Sequence, residues 1–335
     1  MVSLWARRYR LHRWLGAGLA AAVAAGLLGL AGGLGGTALA PAGEPAARAE
    51  GAPPDPAVAE GRRAAPEPAH PNVFFNPVLF YSGLEAARRP TAVPGVSGAG
   101  LAVSGSVAGG LVPHHDLAGE LLSGFFLRLE ESPPDVIFLV GPNHDAAGAP
   151  VITGRRAWQT DFGRVEVDRE AVDALVAAGL AAVDEDVLAR EHAMGTLMPY
   201  IKFHAPEARV VPLILHRGLT LAELRRLASA LAAQLGPGRI LVASVDFSHY
   251  LARAEAEARD RETLATIRAG DLDQLLRMGP EHLDSPGSVA VLLMAMAATG
   301  AHGPVVLGHT NSGEILRDHL IETTSYFTFL FTNKE

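Results

Sequence analysis

Val136-Ile137-Phe138-Leu139-Val140, followed at once by Gly141-Pro142-Asn143-His144-Asp145, is the stretch on which the reading of the fold turns. Five apolar residues without a polar interruption suit a strand covered on both faces, as in a parallel sheet between helical layers. The Gly-Pro that closes the run makes a stiff turn and fixes where the imidazole beyond it points. The same arrangement recurs along the chain. Strands predicted over 110–113, 210–215, 240–244 and 305–308 lead into His114-His115-Asp116, His216, Asp246-Phe247-Ser248-His249-Tyr250 and His309, with Asn311 just beyond. A sixth strand is predicted over 326–331. Helical patterns alternate with these strands over 117–129, 169–178, 193–205, 221–235, 254–269 and 288–299, and Thr220 and Glu223 have the spacing of a capping box. Alternating strands and helices predict an α/β fold: a single layered domain with a mostly parallel or mixed central sheet and flanking helices.

Outside this unit the chain changes character. Arg7, Arg8, Arg10 and Arg13 precede an uncharged run rich in Gly and Ala over 15–40, which ends in the small-residue pattern Ala38-Leu39-Ala40. Residues 1–40 therefore read as a signal peptide or an N-terminal membrane anchor, two outcomes that stay open at this point. Positive charge ahead of the run places the rest of the chain outside the cytoplasm, so the protein reads as extracytoplasmic, secreted or anchored. Membrane contact is expected only through that segment. Residues 41–72, dominated by Pro and Ala without apolar periodicity, read as a linker. The folded domain is expected over 73–335.

The 335-residue chain has 28 Lys+Arg against 36 Asp+Glu, and four of those arginines lie in its first 14 residues. The folded part is thus acidic and a poor partner for phosphate backbones, which argues against nucleic acid. No cysteine is present, excluding disulfides, thiolate metal sites, iron–sulfur clusters and a Cys nucleophile.

Ligands of open α/β sheets bind beyond the carboxyl ends of the strands, the rim where these imidazoles fall. Imidazole is the commonest metal ligand and the side chain whose ordinary pKa lies near neutrality. His114 and His144 are therefore candidate metal ligands, to be joined by a group from the turn at Asp246, Ser248 and His249. Two or three imidazoles with a carboxylate suit Fe(II), Cu or Zn. Taken singly, each of these histidines reads equally well as a hydrogen-bonded loop residue, and Asp246 as a buttress of its own turn. His115 and His216 read as facing solvent or a helix, and His309 as holding a ligand's tautomer. His12 and His70 fall outside the expected domain, and His302 and His319 read as loop surface. Glu191-His192 opens the helical pattern over 193–205. There His192 is a candidate general acid/base with Glu191 orienting its ring; alternatively Glu191 is an N-terminal acid favoured by the helix dipole. The catalytic candidates are His192, Glu191 and Asp246, and the metal candidates His114, His144 and His249.

In order along the chain, Val112-Pro113-His114, Gly141-Pro142-Asn143-His144, Glu191-His192 with Pro199-Tyr200, Ser244-Val245-Asp246-Phe247-Ser248-His249-Tyr250 and Asp284-Ser285-Pro286-Gly287 resemble the MEMO-like family (AmmeMemoRadiSam system protein B). That family is similar in fold to the class III extradiol dioxygenases. The resemblance implies metal-site histidines at His114 and His144 and an acid/base-like histidine at His192. It puts the third ligand position, a Cys in some members and a Glu in the dioxygenases, at Ser248. A neutral hydroxyl is a weak ligand, so the expectation is that either Asp246 or His249 completes the site or metal affinity is low. The chain also departs from the family at Pro113-His114-His115-Asp116-Leu117, where Pro-His-Ala-Gly-Tyr is usual. Glu191-His192-Ala193-Met194-Gly195 lacks the second carboxylate of the usual Glu-His-Ser-hydrophobic-Glu. His115, Asp116 and His216 are the expected replacement set. The function implied is a metal-dependent redox or dioxygenase-like enzyme using Fe(II) or Cu on a small molecule. The alternatives are a Zn-dependent hydrolase, with Glu191 or His192 activating water, and a non-catalytic metal- or ligand-binding envelope protein. The family name implies radical-SAM and AMMECR1-like partners, from which an exported chain would be separated.

Overall fold

The computed structural model describes residues 67–89 and 105–333; the predicted targeting segment over 1–40 and the linker before residue 67 lie outside the described residues. In chain order the strands are β1 (His70–Pro71), β2 (Val107–Val112), β3 (Val136–Pro142), β4 (Val151–Thr153), β5 (Trp158–Thr160), β6 (Gly163–Val165), β7 (Ala182–Val183), β8 (Arg209–Leu215), β9 (Arg239–Ser244), β10 (His249–Leu251), β11 (His302–Asn311) and β12 (Thr323–Thr332). The helices are α1 (Pro77–Arg88), α2 (Gly119–Phe126), α3 (Arg169–Ala177), α4 (Glu185–Leu188), α5 (His192–Gly195), α6 (Leu197–His204), α7 (Leu221–Ala232), α8 (Arg253–Ala269), α9 (Leu272–Arg277), α10 (Pro286–Thr299) and α11 (Ser312–Leu316).

Every residue of β3 is buried, as its unbroken apolar run requires. β3 pairs in parallel with β8 on one side and β9 on the other, and β9 pairs in parallel with β2. Beyond this parallel centre the sheet turns antiparallel, through β12 against β2 and β4 against β8. The full order is β10-β12-β2-β9-β3-β8-β4-β7, with β11 also on β12. The domain is thus α/β with a mixed sheet and flanking helices. A separate sheet, β1-β5-β6, carries the start of the described chain.

The helices cover the sheet by their composition. α7 buries Leu224, Leu227, Ala228 and Leu231, a single stripe at helical spacing. Its capping box forms as the sequence predicts: Thr220 Oγ1 accepts the Glu223 N–H at 3.3 Å, and Glu223 Oε2 accepts the Thr220 N–H at 2.8 Å. α10 is apolar nearly all round and packs between α7 and the sheet.

Several expectations need correction. The pattern over 117–129 is α2 with a 3₁₀ turn at each end, and that over 193–205 divides into α5 and α6 at Thr196. α1 and the short strands β4 to β7 were not read at all. α1 did carry a signal: Asn76 accepts the Val78 and Leu79 N–H groups, and Pro77 stands at the first helical position. His70 belongs to the folded unit, ahead of the expected boundary at 73. It is 2% exposed, its ring centroid is 4.8 Å from that of Trp158, and its Nε2 is 2.8 Å from Glu185 Oε2. Its burial comes from partners some 90 to 115 positions away, which local composition could not show. Among the described residues no helix is long and apolar enough to cross a membrane.

β2 tolerates no side chain at Gly110, where a methyl would stand 2.2 Å from Phe125 Cε2 and 2.8 Å from the Phe329 carbonyl oxygen. Gly110→Ala is expected to lower stability by about 1–3 kcal/mol, the usual cost of overpacking a core. Denaturant titration of the two proteins checks this, and an unchanged midpoint contradicts the packing described.

Candidate metal centre

The register of the parallel strands places the site. Val112 lies opposite Ser244 across β2 and β9, and Val140 opposite Ala243 across β3 and β9, so the segments that follow all emerge on one rim. His114 leaves β2 beside the turn that leaves β9. Its N–H donates to Asp246 Oδ1 at 3.0 Å, and its Nδ1 is 3.2 Å from Ser244 Oγ. The Ser244 hydroxyl donates its proton to the Ala193 carbonyl at 2.7 Å. It is therefore an acceptor towards His114, which sets Nδ1–H as the donor and turns Nε2 inward.

His144 is held the same way by a carboxylate. Its N–H donates to Glu191 Oε2 at 2.8 Å, and its Nδ1 lies 2.8 Å from Glu191 Oε1. Glu191 also caps α5, accepting the Ala193 N–H at 2.9 Å. Glu191 thus stands at the helix entry as a cap, and the ring nearest its carboxylate is that of His144. The His192 Nδ1 is farther away, at 3.4 Å. His192 lies against His144 with centroids 4.2 Å apart, and the Phe74 ring is 6.1 Å from it. One ring nitrogen from each of His114, His144 and His192 lies within 4.8 Å of the others, a grouping able to hold a metal ion.

The carboxylate facing this cluster is Asp284. Its Oδ2 is 3.1 Å from His114 Nε2 and 3.7 Å from His144 Nε2, while Oδ1 is buried without a hydrogen-bond partner. The segment carrying it is laced to the β9 turn: Asp284 N–H donates to the Asp246 carbonyl at 3.1 Å, and Leu283 bridges to Phe247. Asp246 Oδ2 lies 3.7 Å from His114 Nε2. The sequence reading assigned Asp284 no role. It follows no strand, sitting just before Pro286 at the start of α10, so the strand-end argument could not reach it.

The remaining candidates disperse. Ser248 is fully buried, and its hydroxyl turns away to Asp260 Oδ1 and Ser325 Oγ, each at 2.9 Å. His249 is outside the three-ring grouping; its N–H donates to the Pro280 carbonyl and its Nδ1 is buried and unpartnered. The expected replacement set does not assemble. His115 Nδ1 accepts the Leu117 N–H, Asp116 Oδ2 accepts the Asn76 N–H at 2.8 Å, and His216 Nδ1 accepts the Gly218 N–H. His309 holds Asp260, not a ring of the cluster.

Burial opposes the charge on His114, yet the Asp246 and Asp284 carboxylates outweigh it and raise its pKa. For His144, burial is likewise overcome by Asp284 and Glu191, and the pKa rises to about 10. His192 goes the other way, to about 3, through burial and then repulsion from His144 and His114. Burial works against ionised Glu191 and Asp284, but the imidazoles bring Glu191 down to about 2 and Asp284 well below the carboxylate range.

The chain is thus an α/β protein whose imidazoles and carboxylates converge beyond its parallel strands, in a grouping that could hold a metal ion. A family model for Memo-like proteins matches residues 99–327, and the chain belongs to that family. A MEMO1 family protein of Pyrobaculum aerophilum is 31% identical over 68% of this chain and 85% of its own length. One from Methanopyrus kandleri is 28% identical over 64% of this chain and 80% of its own. A solved structure of an uncharacterised Escherichia coli K12 protein aligns over 66% of this chain and 99% of its own, at 16% identity and a TM-score of 0.45.

These shifts give the metal-free protein a pH optimum. His144, ordinarily 6.5 and here about 10, stabilises the fold fully below pH 6.5 and loses that contribution as pH rises towards 10. His192, ordinarily 6.5 and here about 3, gives a contribution lost as pH falls from 6.5 to 3, and Glu191 adds a loss from 4.5 to about 2. The denaturation midpoint of the metal-free protein is expected to peak near pH 6.5, with His144→Gln flattening the alkaline side. An alkaline decline of the same size in that variant contradicts the assignment.

Proposed function

We propose that the protein holds a divalent metal, iron or copper, between His114, His144 and Asp284 and uses it in redox chemistry on a small molecule. The observation that carries the metal reading is the spacing of the donors, with Asp284 Oδ2 at 3.1 and 3.7 Å from the two Nε2 atoms. Ligands on bonds of about 2.0–2.2 Å, at angles between a right angle and a tetrahedral one, stand about 2.8–3.6 Å apart, so the first distance fits and the second is slightly long. The donor chemistry agrees. Asp284 Oδ1 is buried and unpartnered, and both Nδ1 atoms are engaged from behind, by Ser244 and Glu191, leaving Nε2 to a cation. Two imidazoles and a carboxylate on one side of an ion, with the other positions open, are the donor set of non-haem Fe(II) oxygenases.

A bound iron or copper would supply Lewis acidity and one-electron chemistry. The chain's own groups do the rest. Glu191 and Ser244 keep the two rings from turning. His192, uncharged at neutral pH, stands beside His144 and next to Phe74 as an acceptor for a hydrogen bond from a substrate hydroxyl. The grouping of three ring nitrogens favours a second reading, in which His192 is a ligand to Zn in a hydrolytic site. The basic and then apolar N-terminus supports an extracytoplasmic setting, cleaved or tethered.

His114→Ala, His144→Ala and Asp284→Ala are each expected to lower the metal bound by the purified protein to a small fraction of wild type, measured by elemental analysis. Wild-type content in all three ends the metal reading. Oxygen uptake with phenolic substrates supports the redox reading, and ester or amide hydrolysis by the Zn form supports the hydrolytic one. Tight metal binding with neither activity supports a binding protein.

Because His144 carries its proton up to about pH 10, a metal must displace it, and affinity rises with pH. Calorimetric titration with Zn(II) at pH 7, in buffers of different ionisation enthalpy, is expected to show release of about one proton or more. Binding without proton release contradicts the proposed ligand set.

A further inference from the structure

Asp260 lies on α8, 1% exposed, and has no contact with the histidine cluster. Both of its oxygens are nonetheless used. Oδ1 is 2.9 Å from Ser248 Oγ, and Oδ2 is 2.8 Å from His309 Nε2. His309 lies flat against Phe327, with centroids 4.0 Å apart, and reaches Asp260 from β11. A buried carboxylate needs such donors, since an unpaired charge away from water is strongly destabilising. Ser248 has one hydroxyl proton and two neighbours, the carboxylate and Ser325 Oγ at 2.9 Å. The charge-assisted bond is the stronger, so Ser248 donates to Asp260 and accepts from Ser325.

Ser248 sits in the turn that brings Asp246 to His114. The backbone of this turn is also fixed: Phe247 N–H donates to the Ser325 carbonyl at 2.8 Å, and Ser325 N–H to the Ser248 carbonyl at 2.9 Å. These bonds hold the turn to β12. Among the described residues, the side-chain bond from Ser248 to a helix is the one to Asp260. We infer that Asp260, steadied by His309, is a positioning residue that acts through Ser248 to aim the Asp246 turn at His114 and Asp284. Ser248 is on this account the turn's anchor and not a metal ligand. The inference rests on the metal reading above for its effect on affinity, but the geometry of the turn stands apart from it.

Two small variants test it: Ser248→Ala, which removes one hydroxyl from a packed turn, and Asp260→Asn, which leaves that hydroxyl in place. Each is expected to weaken Co(II) binding about 10- to 100-fold, the range for residues behind a ligand, and to change the Co(II) d–d spectrum. The double variant is expected to lose no more than the larger single loss. Amide exchange at His114, whose N–H is held by Asp246 Oδ1, is expected to speed up in both variants without metal. If Ser248 were a ligand, Asp260→Asn would leave affinity unchanged or raise it, and the inference would be wrong. Wild-type affinity, spectrum and His114 exchange in both variants, or additive losses, would overturn it too. A wild-type protein that binds no Co(II), but whose His114 exchange rises in both variants, would refute the metal reading and leave the positioning role standing. Should Asp260→Asn fold poorly, Ser248→Ala alone decides by the same affinity and exchange measurements.

Discussion

The parallel pairing of β2, β9 and β3 is the constraint on which the rest of the molecule depends. Side chains on a strand change face at each residue, so a slip of one position would send His114 or His144 to the wrong side. The register opposes Val112 to Ser244 and Val140 to Ala243. Everything chemical follows within a few residues of these pairs. Burial on both faces secures the pairing, since a slip in β3 would have to expose part of a seven-residue strand that is wholly covered.

The second organising fact is charge. Glu191 and Asp246 are buried with His114, and Asp284, His144 and His192 lie only partly exposed among them. Such a cluster is stable only because each charge meets an opposite one or a directed donor. The arrangement separates the histidines by role. His114 and His144 face carboxylates and hold protons, or a cation in their place. His192 meets mainly other imidazoles and stays neutral. One rim thereby brings together imidazoles that differ in charge.

Resemblance and space disagree at the third ligand position. The motif put it at Ser248, whereas the carboxylate beside the two Nε2 atoms belongs to Asp284. The two residues lie on segments laced together through Phe247 and Leu283, so both reach the same rim. Losing a polar ligand from one segment need not empty the site when an adjacent segment delivers another.

Much of this was legible in the residues themselves. The apolar run at 136–140, the Gly-Pro turn and the recurrence of His after strand patterns determined an α/β layer and singled out His114, His144 and His192, because periodicity and turn chemistry are local. Other features were not local. His70 looked like linker, since its burial comes from Trp158 and Glu185. His309 read as holding a ligand's tautomer, yet it turns to Asp260 on a distant helix. Glu191 was readable as a helix cap, but not as the carboxylate that holds His144. Asp284 follows no strand and reaches the rim only through bonds to the β9 turn. Local physics thus determined which side chains could do chemistry, and tertiary packing alone decided which of them meet. Hydrogen-bond partners and burial are properties of separations in space, which spacing along a chain does not encode.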